Sequence, residues 1–218
     1  MSNKYFILKP AVDTPETGNA YPAAESYDDY DFNAPNSVHK LNFREFPDFK
    51  PDIRFKLAKG AKLTDMLSQA AISAHGFLIN EKLKNAFEQF EIVPYKYFPA
   101  TIEDHKGNFH QYFWLHLVWK EAKDFIKWED SKFYKKRLSK NLGDVSIKKE
   151  EDILSEREKC DVATLIDFTT ISFKNHDFDM FLINYFTEIY VSKKAAETLT
   201  KNKLTGIETI SADKLLLN

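Results

Sequence analysis

Six histidines, His39, His75, His105, His110, His116 and His176, are the residues best suited to metal binding or acid–base chemistry. His110 and His116 share strand parity with Tyr112 and Trp114 and would stand on one face of a strand. Six residues of strand span roughly 20 Å, however, so one metal ion cannot take both. The single cysteine, Cys160, rules out a C-x-x-C zinc site, and no H-E-x-x-H occurs. Ser131, in "WEDSKF", has acids beside it, yet a nucleophile needs a base within hydrogen-bond reach, and no G-x-S-x-G elbow is present. Ser131 therefore reads as a turn or cap residue. The paired carboxylates Asp28/Asp29, Glu129/Asp130 and Glu150/Glu151/Asp152 show no spacing that singles out an acid–base couple, and read as solvated charge. Six glycines supply neither a G-x-G-x-x-G nor a Walker loop to cradle phosphates. The residues point to no catalytic, cofactor or metal site.

Residues Tyr21–Phe32 stand out for a different chemistry. There Tyr21, Tyr27, Tyr30 and Phe32 are interleaved with Glu25, Asp28, Asp29 and Asp31. Rings supply contact area and carboxylates match a basic partner, so Tyr21, Tyr27, Asp28, Asp29, Tyr30, Asp31 and Phe32 form a candidate partner-binding set. The competing reading packs the rings on the arm's own sheet and leaves the acids in water.

What would position such an arm? The 218 residues can form one large domain and bury a sizeable core. With 43% hydrophobic and 29% charged residues the composition is that of a soluble protein, rich in Phe (19) and Tyr (10). The net charge of −2 offers no basic footprint for nucleic acid. No apolar run reaches the roughly 20 residues of a membrane span, and the N-terminal run is too short for a signal peptide. The lone cysteine suits a reducing compartment, so the expectation is a cytoplasmic protein without nucleic-acid or membrane partner, its oligomeric state left open.

Residues 4–9 read as a strand stopped by Pro10, and residues 11–36, with Pro15, Gly18, Pro22 and Pro35, as a long loop or wrap-around arm. Further expectations are a short strand within 38–46, a half-buried strand at 52–57 and a short helix at 61–71. Residues 92–102 read as a strand whose Pro94 and Pro99 favour an edge, and 109–119 as a central strand, apolar on both faces at its end. The segment "KKEEDILSEREK" reads as an exposed helix, and residues 162–173 and 178–191 as a hairpin.

Two stretches repeat. "FLINEKLKNAFEQFEI" from Phe77 and "IYVSKKAAETLTKNKL" from Ile189 superpose at a shift of 112 positions. Asn80 meets Ser192 as helix N-cap, Leu83 meets Ala195, Phe87 meets Leu199, and Gly206 takes the place of Pro94. Each unit reads as strand, cap, short amphipathic helix and strand, and two such units braced on shared or paired sheets suggest a pseudo-twofold. The expected fold is α+β, mostly antiparallel sheet with short amphipathic helices. An N-terminal strand and extended arm over residues 1–50 would pack on a domain over 51–218 as one globular unit.

The segments "GFLINEKLKNAFEQFEIVPYKYFPATI" and "FTEIYVSKKAAETLTKNKLTGIETIS" resemble a bacterial immunity-protein family of polymorphic toxin systems, the eleventh in its numbering. Ile189–Ser192 and Leu204–Glu208 carry the resemblance best, "DFIKWEDSKF" adds to it, and it spans roughly residues 50–212. The resemblance implies a cytoplasmic, non-catalytic protein that binds and neutralises a cognate toxin. It brings no catalytic residues with it. The alternatives are a general protein-interaction module without a toxin, or an enzyme with an unrecognised site.

Overall fold

The computed structural model describes residues 5–217; Lys4, first residue of the expected N-terminal strand, lies outside them. In chain order, β1 (Tyr5–Pro10) leads into the arm, which carries the two-residue β2 (Ala24–Glu25) and a 3-10 turn at Val38–Lys40. β3 (Ile53–Leu57), β4 (Met66–Leu67) and β5 (Gly76–Asn80) precede α1 (Glu81–Phe87), with β6 (Tyr95–Glu103) and β7 (Phe109–Leu117) after it. A short α2 (Ala122–Phe125) leads to β8 (Lys132–Arg137) and β9 (Lys140–Val145), then α3 (Glu150–Glu158) and β10 (Thr164–Phe173). Last come β11 (Met180–Leu182), β12 (Ile189–Ser192), α4 (Lys193–Lys201), β13 (Ile207–Ser211) and β14 (Leu215–Leu217).

Among the described residues three sheets result, with strand orders β2-β3-β6-β7-β5-β4, β11-β12-β1-β13 and β14-β10-β8-β9. Pairing is mostly antiparallel, and β3 with β6 and β10 with β14 run parallel. The fold is α+β, as the sequence led us to expect. Among the described residues no helix is long and apolar enough to cross a membrane.

The six-stranded sheet is apolar on both faces because each face has its own core. Phe77, Ile79, Leu115 and Leu117 join the larger core with α1, α4 and the two other sheets. Leu78, Tyr112, Trp114, Phe55 and Ile102 face the opposite way, into a second core closed by Ala23, Tyr30, Val38 and Leu41 of the arm. This is why β7 carries rings at consecutive positions: a strand with two covered faces gains from burial on both.

The 112-residue shift is reproduced in the pairing of β5 and β12, while their partners β4 and β11 correspond at 114. β5 pairs with β4 through Met66↔Ile79, and β12 pairs with β11 through Met180↔Val191. On its other side β5 pairs with β7 through Ile79↔Phe113 and Asn80↔Tyr112; β12 pairs with β1 through Phe6↔Val191 and Tyr5↔Ser192. The next neighbours also correspond, since β6 starts with Tyr95↔Leu117 and β13 with Pro10↔Ile207. Each repeat is thus a four-stranded sheet plus a helix, in the orders β4-β5-β7-β6 and β11-β12-β1-β13. The second copy is circularly permuted: its third strand comes from the far end of the chain, as β1.

Four local expectations need correction. Residues 61–71 hold β4 and turns instead of a helix, because Met66 and Leu67 pair with β5 and both are buried. Residues 38–46 hold a 3-10 turn capped by Ser37, whose hydroxyl accepts from the His39 amide, and no strand. Segments 162–173 and 178–191 do not form a hairpin, since β10 pairs with β8 and β14 while β11 pairs with β12 in another sheet. β6 lies between β3 and β7, but β3 covers only Ala100–Glu103, so Pro99 stands where β6 has a single neighbour and needs no second amide partner.

Candidate functional site

Within the arm, the rings divide by environment. Tyr30 is buried; its hydroxyl donates to the Asp52 carbonyl at 2.8 Å and accepts from the Val38 amide at 2.9 Å. Tyr27 is half-buried and donates to the Glu103 carboxylate at 2.7 Å, and burial together with that carboxylate pushes its phenol up to about 12. These two rings fasten the arm to β3 and β6. Tyr21 is 72% exposed, and Phe32 stands at the surface, stacked on the His39 ring at 4.2 Å. Asp28, 97% exposed, reaches Lys56 at 3.3 Å; Asp29 and Asp31 are exposed. The arm therefore presents Tyr21, Phe32 and three carboxylates outward, held by Tyr27 and Tyr30.

Tyr21 also rims a cleft of about 600 Å³ between β1 and the β4–β5 edge, lined by Leu8, Leu67, Phe77, Trp114 and His75. His75 sits 3.5 Å from the Asn184 carbonyl, and burial pushes its imidazole below the ordinary range. The Trp114 indole nitrogen is buried without a partner. Lys9, Ser68, Gln69 and Ser73 share this lining with the apolar residues, so the cleft is mixed in character.

A pair of aspartates that sequence reasoning missed links the two repeats. The Asp65 carbonyl accepts from the Asn80 amide at 2.9 Å, and its carboxylate accepts from Asn80 Nδ2 at 2.8 Å and Lys82 Nζ at 3.2 Å. The Asp179 carbonyl accepts from the Ser192 amide at 2.7 Å, and its carboxylate accepts from the Ser192 hydroxyl at 2.6 Å and Lys194 Nζ at 3.2 Å. Asn80 and Ser192 in turn accept from the Leu83 and Ala195 amides, so each aspartate orients a helix N-cap.

Each aspartate also reaches across to the other repeat. Asp65 accepts from the amide and hydroxyl of Thr205, after α4, at 2.7 and 2.9 Å. Asp179 accepts from the Glu91 amide, after α1, at 3.3 Å. Burial alone would raise both carboxyls. At Asp65 the Thr205 and Asn80 bonds outweigh it, at Asp179 those from Ser192 and Lys194, and both are held below the ordinary carboxylate range. Their role is to clasp. A signal was present in the sequence, because Asp65-Met66-Leu67 and Asp179-Met180-Phe181 repeat one pattern.

Of the two histidines expected on one strand face, His110 pairs with Asp104 at 2.9 Å, and His116 is fully buried, its Nε2 2.8 Å from the Asn42 carbonyl. Ser131 caps a 3-10 turn: its hydroxyl donates to the Lys127 carbonyl and accepts from the Ser172 amide. Among the described residues no group of three His, Cys, Asp or Glu side chains is placed to hold a metal ion.

These features are a scaffold with an exposed, fastened arm, and the model of one family fits that scaffold almost end to end. The immunity protein family designated Imm11 matches residues 4–214. The chain belongs to that family. The Imm11 match takes in the whole arm and β1, which the resemblance in the sequence had left outside its span. No curated protein matches the chain.

Proposed function

We propose that this Imm11 chain is a cytoplasmic, non-catalytic protein that neutralises a cognate protein toxin by direct binding, and that the Tyr21–Phe32 arm contributes to the contact surface. Family membership over nearly the whole chain carries this reading. The arm supports it with outward aromatic area at Tyr21 and Phe32 beside the carboxylates of Asp28, Asp29 and Asp31, a pattern suited to a basic partner.

The test has two parts. The protein encoded directly upstream is produced in bacterial cells with and without this chain. Growth arrest only without it is expected, together with a purified complex; arrest that persists in its presence would refute neutralisation. The arm is then probed with Tyr21→Ala and with Asp28→Lys, Asp29→Lys and Asp31→Lys combined, which spare the fastening rings Tyr27 and Tyr30. Affinity should fall by about ten-fold or more, as for truncation of a contact anchor. Unchanged affinity would remove the arm from the interface.

A further inference from the structure

The β8–β9 hairpin combines three features that folding does not require. First, β9 is a sheet edge: its neighbour among the described residues is β8 alone, and Lys140–Asp144 are all exposed. Such an edge offers unpaired amides and carbonyls to another chain. Second, the sheet end at the hairpin tip gathers exposed apolar side chains. Leu138 and Leu142 belong to the hairpin, Leu165 lies across from Lys136, and Val162 precedes β10 at the same end. Leu138, 86% exposed, occupies the two-residue loop at φ 53°, where glycine, asparagine or aspartate is ordinary. A leucine there is disfavoured by both its conformation and its exposure, and strain of this kind concentrates at functional surfaces.

Third, the charge is inverted. Lys132, Lys135, Lys136, Arg137 and Lys140 face a single acid, Asp144, within the hairpin of a chain whose net charge is −2. Glu156 holds Lys135, Asp167 holds Lys136 and Asp161 holds Arg137. Lys132 and Lys140 have no ion pair among the described residues and both are exposed. The bulge between Lys135 and Lys136, together with Lys140, limits indiscriminate pairing along the edge, which leaves a matched partner favoured over a random one.

We infer that this hairpin is a second contact surface, on which an extended acidic segment of the toxin adds as a strand along β9. Leu138 and Leu142 serve as apolar anchors, and Lys132 and Lys140 as charge-matching groups. Strand addition of this type draws affinity from the main chain and specificity from alternate side chains. The assignment rests on the toxin-binding reading and adds to it a surface opposite in charge to the arm.

The experiment uses the full chain and the upstream-encoded toxin. Leu138→Gly relieves the left-handed position, so its thermal midpoint should equal or exceed the parent's while toxin affinity falls by about ten-fold or more. Lys132→Glu with Lys140→Glu should weaken binding and flatten its salt dependence. Backbone amides of Lys140–Val145 should exchange more slowly in the complex. If these variants bind as the parent does and β9 exchange is unchanged, the hairpin is not a contact surface, while the functional reading stands. If the parent itself does not bind the toxin, that reading falls and the hairpin assignment with it. If the parent is a dimer that Leu138→Gly dissociates, the edge serves a second copy of this chain and the toxin assignment is overturned.

Discussion

His176 shows how far a single residue's surroundings can shift its chemistry. Its ring lies among Phe181 at 4.3 Å, Tyr5, Phe173 and Phe178 at 5.6 Å, and Trp119 at 6.0 Å between centroids. Nδ1 accepts from the Phe178 amide and Nε2 is buried without a partner. Burial pushes the imidazole down to about 4, against the opposing charge of Asp177. Between pH 6.5 and 4 the unfolded chain therefore takes up a proton that the folded chain refuses, so stability is full above pH 6.5 and falls through that window. His176→Phe should make the fall of the thermal midpoint with decreasing pH shallower; an unaltered slope would mean that His176 does not carry it. Asp65 and Asp179 act lower, being depressed carboxyls whose contribution is full above about pH 4 and is lost as pH drops further. Asp65→Ala removes the acceptor for three residues and should cost about 3 kcal/mol, roughly 10 °C in a chain of this size.

Among the elements, those with strong local signals were legible. Asn80 and Ser192 cap α1 and α4 as their types and spacing indicated, β7 is central, and β13 closes the second unit. What stayed hidden depended on partners distant in the chain. β4 reads locally as helix because Leu63, Met66, Leu67 and Ala70 recur at helical spacing, yet pairing with β5 prevails. The arm's exposed and fastening rings look alike in sequence, since only the fold brings Glu103 to Tyr27 and Asp52 to Tyr30. Two element-level outcomes are expected. Ser192→Ala loses both an N-cap and a bond to Asp179 and should cost about 2 kcal/mol by denaturant titration. Gly206→Ala should cost at least about as much, because it holds φ 72° and an added Cβ would lie 2.2 Å from the Met66 carbonyl oxygen. A variant as stable as the parent would show that β4 and the segment after α4 can separate freely.

The whole molecule is cross-braced: Asp65 of the first repeat holds the segment after α4, and Asp179 of the second holds the segment after α1. Neither repeat is finished without the other. Calorimetry should show one cooperative transition, with equal calorimetric and van't Hoff enthalpies, and two resolved transitions would contradict this coupling. The 112-residue shift made the duplication visible, but its permutation was not, because β1 and β7 correspond by pairing position and share little recognisable pattern.

That permutation also bears on how the protein is made. The strands on either side of β1, β12 and β13, leave the ribosome only some 180 to 200 residues after it. At ordinary elongation rates that is a wait of roughly ten to forty seconds, during which β1 has no permanent neighbour. The second sheet thus closes only once β13 has emerged, and a chain interrupted before β12 would carry β1 bare, a ready target for chaperones and proteases.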